Sequence, residues 1–390
     1  MRATQTEGAA GAAKPTQARQ AGTPAVASAT GGSRDGPATG STSTAASTAT
    51  GDGLSVSRAV GQMLMTHVTG LTASRQLLAR VRSGQVGSVI LYRENINSDR
   101  QVARLTAALQ RAARTGGNPP LLIGIDQEGG SVKRLYNSPP TMSAQQMGAS
   151  ANPFAVAESQ GRATGLQLRR LGINLDFAPV ADIPTTADNF LGDRAFGHNQ
   201  HSVIDGAAGF AAGLAEARVA ASAKHFPGLG AAGSNDTDFT LTSIDASAGR
   251  LRASYAPYLA MAQTGPAVAP LVMISDAIYP NLDPSGLPAA LSSRILHREL
   301  GAAGMSDRVT ITDDLEVPGV QRYPDVAVKA VLAGEDILMF AQHESSSELA
   351  YRAIMRGVTR HLIPKALVVG AGDRVLTLKQ GLKLDGDHAR

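Results

Sequence analysis

Residues 121–126 read Leu-Leu-Ile-Gly-Ile-Asp, an almost continuous apolar run that ends on a carboxylate. Strands of parallel sheets are buried on both faces and have unbroken apolar runs of this kind, without an alternation of apolar and polar residues. Seven further short runs of similar character occur along the chain. The eight predicted strands are 62–67, 88–91, 121–126, 174–180, 221–225, 271–275, 309–312 and 336–340.

Longer segments with a helical period separate these runs. Apolar residues recur at i, i+3, i+4 and i+7 in 102–109, 155–171, 203–214 and 291–300, which is the pattern of helices with one buried face. Eight strands that alternate with helices within about 330 residues predict an α/β fold, a single-domain (β/α)8 TIM-like barrel. A doubly wound open sheet with irregular insertions is the alternative.

The first 53 residues differ from the rest. They consist mainly of Ala, Gly, Thr and Ser, their only bulky apolar residues are Met1 and Val26, and they contain no aromatic residue. Such a segment buries too little apolar surface to offset the entropy of ordering its backbone. The sequence therefore predicts a disordered low-complexity tail over 1–53 and one folded domain over 54–385.

Composition excludes several classes of binding partner and site. The formal charge is +4, and aromatic residues make up 4% of the chain without a basic stripe between them, so no nucleic-acid partner is predicted. The absence of cysteine excludes disulfides and Cys-ligated zinc. No apolar run reaches the roughly 18–20 residues of a membrane span, and the first 50 residues lack the apolar core of an export signal. A cytoplasmic enzyme is expected, or an envelope or secreted one if the N-terminus is processed or truncated, and the oligomeric state stays open.

Polar side chains follow several of the predicted strands. They include Asp126, the pair Lys224 and His225, Asp276, and Asp313 with Asp314. Active sites of barrel enzymes lie at this face, because the loops that follow the strands converge there. Asp313 is in the right place to attack an anomeric carbon. The alternative for such an aspartate is to cap the next helix, a role that we assign to Asp314 before Asp313.

The pair Lys224 and His225 suits hydrogen bonding to several hydroxyl groups of a sugar. The alternative interpretation is a buried structural histidine beside a solvated lysine.

Residues 228–233, Gly-Leu-Gly-Ala-Ala-Gly, match the dinucleotide-binding pattern G-x-G-x-x-G and suggest a nucleotide-dependent oxidoreductase instead. That pattern requires a helix that opens at the third glycine, whereas a polar stretch without helical period follows here. No nucleotide cofactor is therefore expected. No metal site is predicted either, because the histidines of His198-Asn199-Gln200-His201 have no third ligand at suitable spacing.

Taken together, the motifs resemble glycoside hydrolase family 3, specifically its single-domain β-N-acetylglucosaminidases. The matching segments follow the family's order over about residues 60–340. They are Gly-Gln-Met-Leu-Met at 61–65, Ile-Asp-Gln-Glu-Gly-Gly at 125–130, Val-Lys-Arg at 132–134, the pattern N-x-x-F-A-P-V-x-D at 174–182, Gly-Asp-Arg-Ala-Phe at 192–196, Lys-His-Phe-Pro-Gly-Leu-Gly at 224–230 and Thr-Asp-Asp-Leu at 312–315.

The resemblance implies a retaining enzyme without cofactor that releases terminal β-linked N-acetylglucosamine, from peptidoglycan fragments or chitooligosaccharides. It also implies roles for individual residues. Asp313 is the nucleophile that forms a covalent glycosyl-enzyme. Hydroxyl groups of the terminal sugar bind to Asp126, Arg194, Lys224 and His225.

Two departures from the family pattern leave questions open. The family's acid/base histidine belongs to a D-x-H turn, and the corresponding stretch here is Asp236-Thr237-Asp238, which makes Asp238 the candidate proton donor and Asp236 its partner. An ordinary carboxyl ionises near pH 4, so this role requires a raised pKa. Ser275-Asp276 stands where relatives commonly carry Ala-His. A β-glucosidase, a glycoside phosphorylase and a catalytically silent glycan-binding barrel are the alternatives.

Overall fold

The structure, a computed structural model, describes residues 54–384. The predicted tail over 1–53 lies outside the described residues, as do residues 385–390.

Eight parallel strands close into a barrel. They are β1 Leu64–His67, β2 Ser88–Leu91, β3 Leu122–Ile125, β4 Leu175–Asp176, β5 Ala220–Phe226, β6 Leu271–Ile274, β7 Val309–Asp314 and β8 Ile337–Phe340. Each strand pairs with its neighbours in chain order, and β1 pairs with β8 through Leu64 and Leu338. The (β/α)8 prediction is confirmed, and the open-sheet alternative is wrong because this last pairing removes both sheet edges.

Each predicted strand overlaps an observed one, but β4 is shorter than the predicted 174–180. Regular pairing ends at Asp176, although the carbonyl oxygens of Ala178 and Pro179 still accept the N–H groups of Ser222 and Lys224 of β5 at 3.1 Å. Pro179 has no N–H to donate, and an isolated bridge between Val180 and Lys224 follows it.

Helices surround the barrel. They are α1 Val56–Gln62, α2 Arg75–Arg82, α3 Asp99–Thr115, α4 Ala144–Gly148, α5 Pro153–Arg170, α6 Gln200–Glu216, α7 Ala248–Ala253, α8 Ala256–Gln263, α9 Leu300–Ala302, α10 Pro318–Gln321, α11 Val326–Ala333, α12 Glu344–Thr359 and α13 Lys365–Gly381, with short 3₁₀ turns at Arg93–Asn95, Gly192–Arg194 and Ala289–Leu291 and a π-helical segment at Ile295–Glu299. Three of the four predicted helices coincide with α3, α5 and α6. The fourth, 291–300, starts late because the side chain of Ser292 accepts the N–H of Ile295 and so begins the helical turns there.

The barrel interior is filled with apolar side chains. Met65, Leu122, Phe177 and Ile311 belong to one buried cluster, and Val375 of α13 joins the same cluster. Because the interior is packed, polar chemistry is confined to the ends of the barrel.

Helix α13 also brings a lysine into this packed region. Lys379 is 2% exposed, and its Nζ donates to Oε1 of Gln62 at 2.5 Å and to the carbonyl oxygen of Gly87 at 2.8 Å. Burial lowers the pKa of Lys379 to about 7. Two acceptor oxygens match the two N–H groups of a neutral amine.

Among residues 54–384, no helix has both the length and the apolar character required to cross a bilayer.

Candidate active site

A cavity of about 500 Å³ opens where the loops after the strands converge. All seven residues to which the sequence assigned a role line it. They are Asp126, Arg194, Lys224, His225, Asp236, Asp238 and Asp313. The structure therefore brings together side chains from loops that are far apart in sequence, and their chemical roles stay predictions.

A β-bulge at the end of β7 sets the position of Asp313. Ile311 pairs with Ile337 of β8, but the next pair joins Asp314 to Met339, so β7 has one residue more than its partner. The extra residue interrupts the ordinary alternation of side chains. Asp313 lines the cavity, and its Oδ1 accepts the N–H of Asp314 at 3.0 Å.

A second bulge lies in β5. Ala223 pairs with Val272 of β6, and the next pair joins Phe226 to Ile274, so β5 also has one extra residue. In a regular strand, consecutive side chains point to opposite faces. Here Lys224 and His225 both line the cavity.

Lys224 is the centre of a buried ionic network. It is 2% exposed, and its Nζ lies 2.8 Å from Oδ1 of Asp126 and 2.6 Å from Oε1 of Glu128. The guanidinium of Arg194 binds Glu128 through two hydrogen bonds of 2.8 and 2.9 Å, and Arg134 contacts Asp126 at 3.1 Å. The three cations Lys224, Arg194 and Arg134 face two carboxylates, so the network has a net charge of +1. Hydrogen-bond donors and acceptors therefore lie next to each other in the cavity.

The charges of this network fix its protonation. Burial by itself would raise the pKa of Asp126, but Lys224 and Arg134 beside it hold that pKa well below its usual range. Burial likewise opposes ionisation of Glu128, and Arg194 and Lys224 lower its pKa below the usual value. Both carboxyls are ionised at neutral pH and act as acceptors.

Asp176 contributes a neutral carboxyl next to this network, a role that the sequence did not predict. It is fully buried, and its Oδ1 accepts the N–H of Gln127 at 2.9 Å, whereas Oδ2 has no hydrogen-bond partner among residues 54–384. Burial raises its pKa to about 8, with added repulsion from Asp126 and Glu128. Asp176 is therefore mainly protonated at pH 7 and leaves the positive charge of the network intact.

Asp182 orients His225, and the sequence assigned it no role although it ends the motif at 174–182. Oδ2 of Asp182 lies 2.7 Å from Nδ1 of His225, and Oδ1 accepts the N–H of Leu229 at 2.7 Å. Because the carboxylate accepts, Nδ1 carries the proton, which fixes the ring orientation and its tautomer.

The turn Asp236-Thr237-Asp238 lies at the cavity mouth. Oδ1 of Asp236 accepts the N–H of Asp238 at 3.0 Å, and the carbonyl oxygen of Asp236 accepts the N–H of Thr240 at 3.1 Å. Asp238 is exposed, yet the surrounding protein desolvates its carboxyl. Desolvation, Asp313 and Asp236 raise the pKa of Asp238, and Arg194 and His225 partly offset this, so that it lies at about 6.

Asp314 does not cap the next helix, so that expectation is wrong. Helix α10 has Val317 as its N-cap residue, and no side chain caps it. Asp314 instead accepts the N–H of Ala341 at 3.0 Å and the amide of Gln342 at 2.8 Å. It thus joins the end of β7 to the loop after β8.

Asp276 is buried at the end of β6, next to β7. Its Oδ1 has no hydrogen-bond partner among residues 54–384. Burial raises the pKa of Asp276 well above its usual range, and Asp313 and Asp314 raise it further. Asp276 is therefore protonated and adds no negative charge beside Asp313.

The glycine-rich loop at 228–233 lacks the geometry of a dinucleotide site. No helix opens at Gly233, and the next helix along the chain is α7. Gly230 serves close packing, because a Cβ atom there would lie 1.9 Å from the carbonyl oxygen of Ile183. Within the described part of the chain, no group of three or more His, Asp or Glu side chains is arranged to hold a metal ion.

The sequence model of the glycosyl hydrolase family 3 N terminal domain matches residues 55–378. The chain belongs to glycosyl hydrolase family 3. The family prediction is thereby confirmed, and the chain belongs to the class of glycoside hydrolases.

Relatives support this assignment. This family 3 chain is 33% identical over 303 residues to a Beta-hexosaminidase of Bordetella pertussis, a match that covers 74% of this chain and 82% of that protein. It is similar to the Beta-N-acetylhexosaminidase structure from Beutenbergia cavernae, with a TM-score of 0.74, 32% identity and coverage of 84% of this chain and 99% of that one.

It is also similar to the structure of a glycoside hydrolase family 3 beta-N-acetylglucosaminidase from Paenibacillus sp., with a TM-score of 0.81 and 32% identity. That match covers 86% of this chain but 64% of the Paenibacillus chain, so the Paenibacillus protein has further residues beyond the matched barrel.

Proposed function

We propose that this chain is a retaining exo-β-N-acetylglucosaminidase, with residues 54–385 as its catalytic domain. The observation that carries the proposal is a single cavity in which Asp313 and Asp238 lie with a buried network of sugar-binding character. The names of the relatives favour terminal N-acetylhexosamine as the substrate. Peptidoglycan fragments and chitooligosaccharides are the proposed sources.

The terminal sugar binds through the ionic network. Asp126 accepts from sugar hydroxyls, Lys224 and Arg194 donate to them, and Nε2 of His225 accepts, because Nδ1 carries the proton and donates to Asp182. These side chains are held by Glu128 and Asp182 before substrate arrives, so little further ordering is required on binding.

Asp313 attacks the anomeric carbon. Its Oδ1 is held by the N–H of Asp314, which orients the carboxylate and leaves Oδ2 for the attack. As the Oδ2–C1 bond forms, the bond from C1 to the leaving oxygen breaks, and Asp238 gives its proton to that oxygen. A neutral Asp276 beside Asp313 avoids a second negative charge near the nucleophile.

The charge of Asp313 also links the two steps. In the free enzyme it helps to keep Asp238 protonated, as the acid of the first step requires. In the glycosyl-enzyme Asp313 is an ester without charge, so the pKa of Asp238 falls. Asp238 is then a base, and it takes a proton from the water that attacks C1 and releases the sugar.

The test is hydrolysis of 4-nitrophenyl N-acetyl-β-glucosaminide by the wild type and by Asp313→Asn, with the first-formed product anomer followed by NMR. The proposal predicts the β anomer and loss of turnover in the variant. Initial formation of the α anomer would refute a covalent intermediate. Faster cleavage of the aryl glucoside would indicate a β-glucosidase, a requirement for phosphate would indicate a phosphorylase, and sugar binding without turnover would indicate a silent glycan-binding barrel.

For the acid/base, the comparison is between leaving groups. Asp238→Ala should sharply lower kcat/KM for glycosides with poor leaving groups and spare kcat/KM for activated aryl glycosides, because kcat/KM reports the first step and activated aryl groups depart without protonation. An equal loss on both would count against Asp238.

A further inference from the structure

Phe239 is an exposed aromatic residue at the mouth of the cavity. It follows Asp238 directly in the chain, its side chain is 76% exposed, and it lines the same cavity as Asp238. It is the most exposed large apolar residue within 54–384. Single exposed apolar residues are common on protein surfaces, so exposure alone does not indicate a function for Phe239. Its location beside Asp238 in the cavity does.

Other apolar residues line the same cavity. Val317, between β7 and α10, and Pro318, the first residue of α10, line it together with Phe190. Among the cavity-lining residues, the charged network of Lys224 and Arg194 thus contrasts with a group of apolar residues. A hexosamine needs the first kind of surface for its hydroxyls and the second for its carbon face.

We infer that Phe239 is the platform for the aglycone and that the preferred aglycone is a second pyranose ring. The inference rests on the function proposed above. A general acid must lie within hydrogen-bond reach of the glycosidic oxygen, and that oxygen joins the terminal sugar to the aglycone. Phe239 follows Asp238 and is exposed, whereas Lys224 of the network proposed to bind the terminal sugar is buried, so we place the Phe239 ring on the aglycone side of that oxygen.

The local backbone is suited to this role. The carbonyl oxygen of Asp236 accepts the N–H of Phe239 at 3.3 Å and that of Thr240 at 3.1 Å, so the turn holds the residue without packing of the ring. A flat phenyl face contacts the C–H groups of a pyranose without requiring any hydrogen bond, which suits a platform that must release its product. Because the ring contributes little to packing, its replacement leaves the fold intact.

Kinetics with three substrates tests the inference. Phe239→Ala should lower kcat/KM for N,N′-diacetylchitobiose and for the 4-nitrophenyl glycoside about three- to tenfold, the order of one aromatic contact. Methyl N-acetyl-β-glucosaminide should change less than about twofold, because its aglycone has no ring to lose the contact. Phe239→Tyr should restore the wild-type preference.

Tyr136 is the matched control. It is 62% exposed, it contacts the guanidinium of Arg93 at 5.1 Å, and it does not line the cavity. Tyr136→Ala should leave all three rates unchanged. An equal loss on all three substrates in Phe239→Ala, or no loss on any, would overturn the inference.

A binding measurement separates this inference from the proposed hydrolysis. The chain contains no tryptophan, so Phe239→Trp in an Asp313→Asn background carries a single tryptophan, whose emission can be excited apart from that of the tyrosines. We expect N,N′-diacetylchitobiose to shift its emission and the methyl glycoside to leave it unchanged, and Tyr136→Trp should respond to neither. A shift in emission without turnover by the wild type would refute the proposed hydrolysis and support the role of Phe239. Turnover by the wild type without a shift in emission would support the hydrolysis and refute the role of Phe239.

Discussion

Replacing Asp236 by Asn isolates one cause of the raised pKa of Asp238. The amide oxygen of Asn still accepts the N–H of Asp238, a bond of 3.0 Å in the wild type, so the turn is preserved and only the charge is removed. Asp236 ranks after desolvation and Asp313 among the effects that raise this pKa to about 6. Its removal must therefore lower the pKa of Asp238.

The magnitude follows from the Coulomb energy. Two unit charges about 6 Å apart interact by roughly 1 kcal/mol at an effective dielectric constant of about 50, which is somewhat below one pH unit. Asp238 is exposed, so salt screens part of this interaction. We expect a shift of about half a pH unit.

The assay is the pH dependence of kcat/KM for a substrate with a poor leaving group, which requires the proton of Asp238. The wild-type rate should fall as pH rises through about 6, because Asp238 loses its proton there. In Asp236→Asn this fall should move to lower pH. Asp373→Asn, an exposed residue of α13, removes the same unit charge away from the cavity and is the control. If kcat/KM fell at the same high-pH midpoint in Asp236→Asn and in Asp373→Asn, the electrostatic explanation for the raised pKa of Asp238 would be refuted.

Three further predictions concern the nucleophile, its neighbour and the buried lysine. Asp313→Asn should reduce kcat about a thousandfold or more with unchanged thermal unfolding, since an amide cannot form the ester intermediate; substantial residual turnover would point to another nucleophile. Asp276→Asn should keep kcat within about threefold, because Asn has the size and neutrality of the protonated carboxyl; a hundredfold loss would mean that Asp276 acts as an anion. Lys379 has a folded pKa of about 7 and an unfolded one near 10.5, so the unfolded chain binds more protons between these values and stability should rise with pH across that window. Lys379→Met should flatten this rise, measured by urea unfolding at pH 7 and 9, and an unchanged pH dependence would contradict the assignment.

The barrel was predictable because its strands are encoded locally. Runs such as 121–126 and 271–275 are apolar and short, and their number sets the architecture. Boundaries were less predictable where a single residue decides them. Ser292 sets the start of the helical turns that follow it, and Pro179, which has no backbone N–H, lies in the part of 174–180 that is not a regular strand.

The candidate site was predictable in its charged residues and not in its geometry. The bulges that bring Asp313, Lys224 and His225 to the cavity appear only in the pairing of neighbouring strands, which no local pattern displays. Asp176 and Asp182 both lie within 174–182, the segment that matches the family pattern N-x-x-F-A-P-V-x-D. Their roles depend on burial and on contacts with distant segments, so no local pattern distinguishes the neutral carboxyl from the one that orients His225.

The family pattern has a histidine where this chain has Asp238, and the two side chains reach a raised or lowered pKa in different ways. An unperturbed imidazole loses its proton near pH 6.5, whereas a carboxyl begins near 4 and needs the full effect of desolvation, Asp313 and Asp236 to reach about 6. At the same place a histidine would be raised by the same negative neighbours but lowered by desolvation, because its protonated form is the charged one, whereas both effects raise the pKa of Asp238. In the proposed mechanism the two carboxyls are interdependent, because the first step removes the charge of Asp313 that helps to keep Asp238 protonated. Asp238 thus depends on the negative charge of Asp313 for its proposed function as an acid.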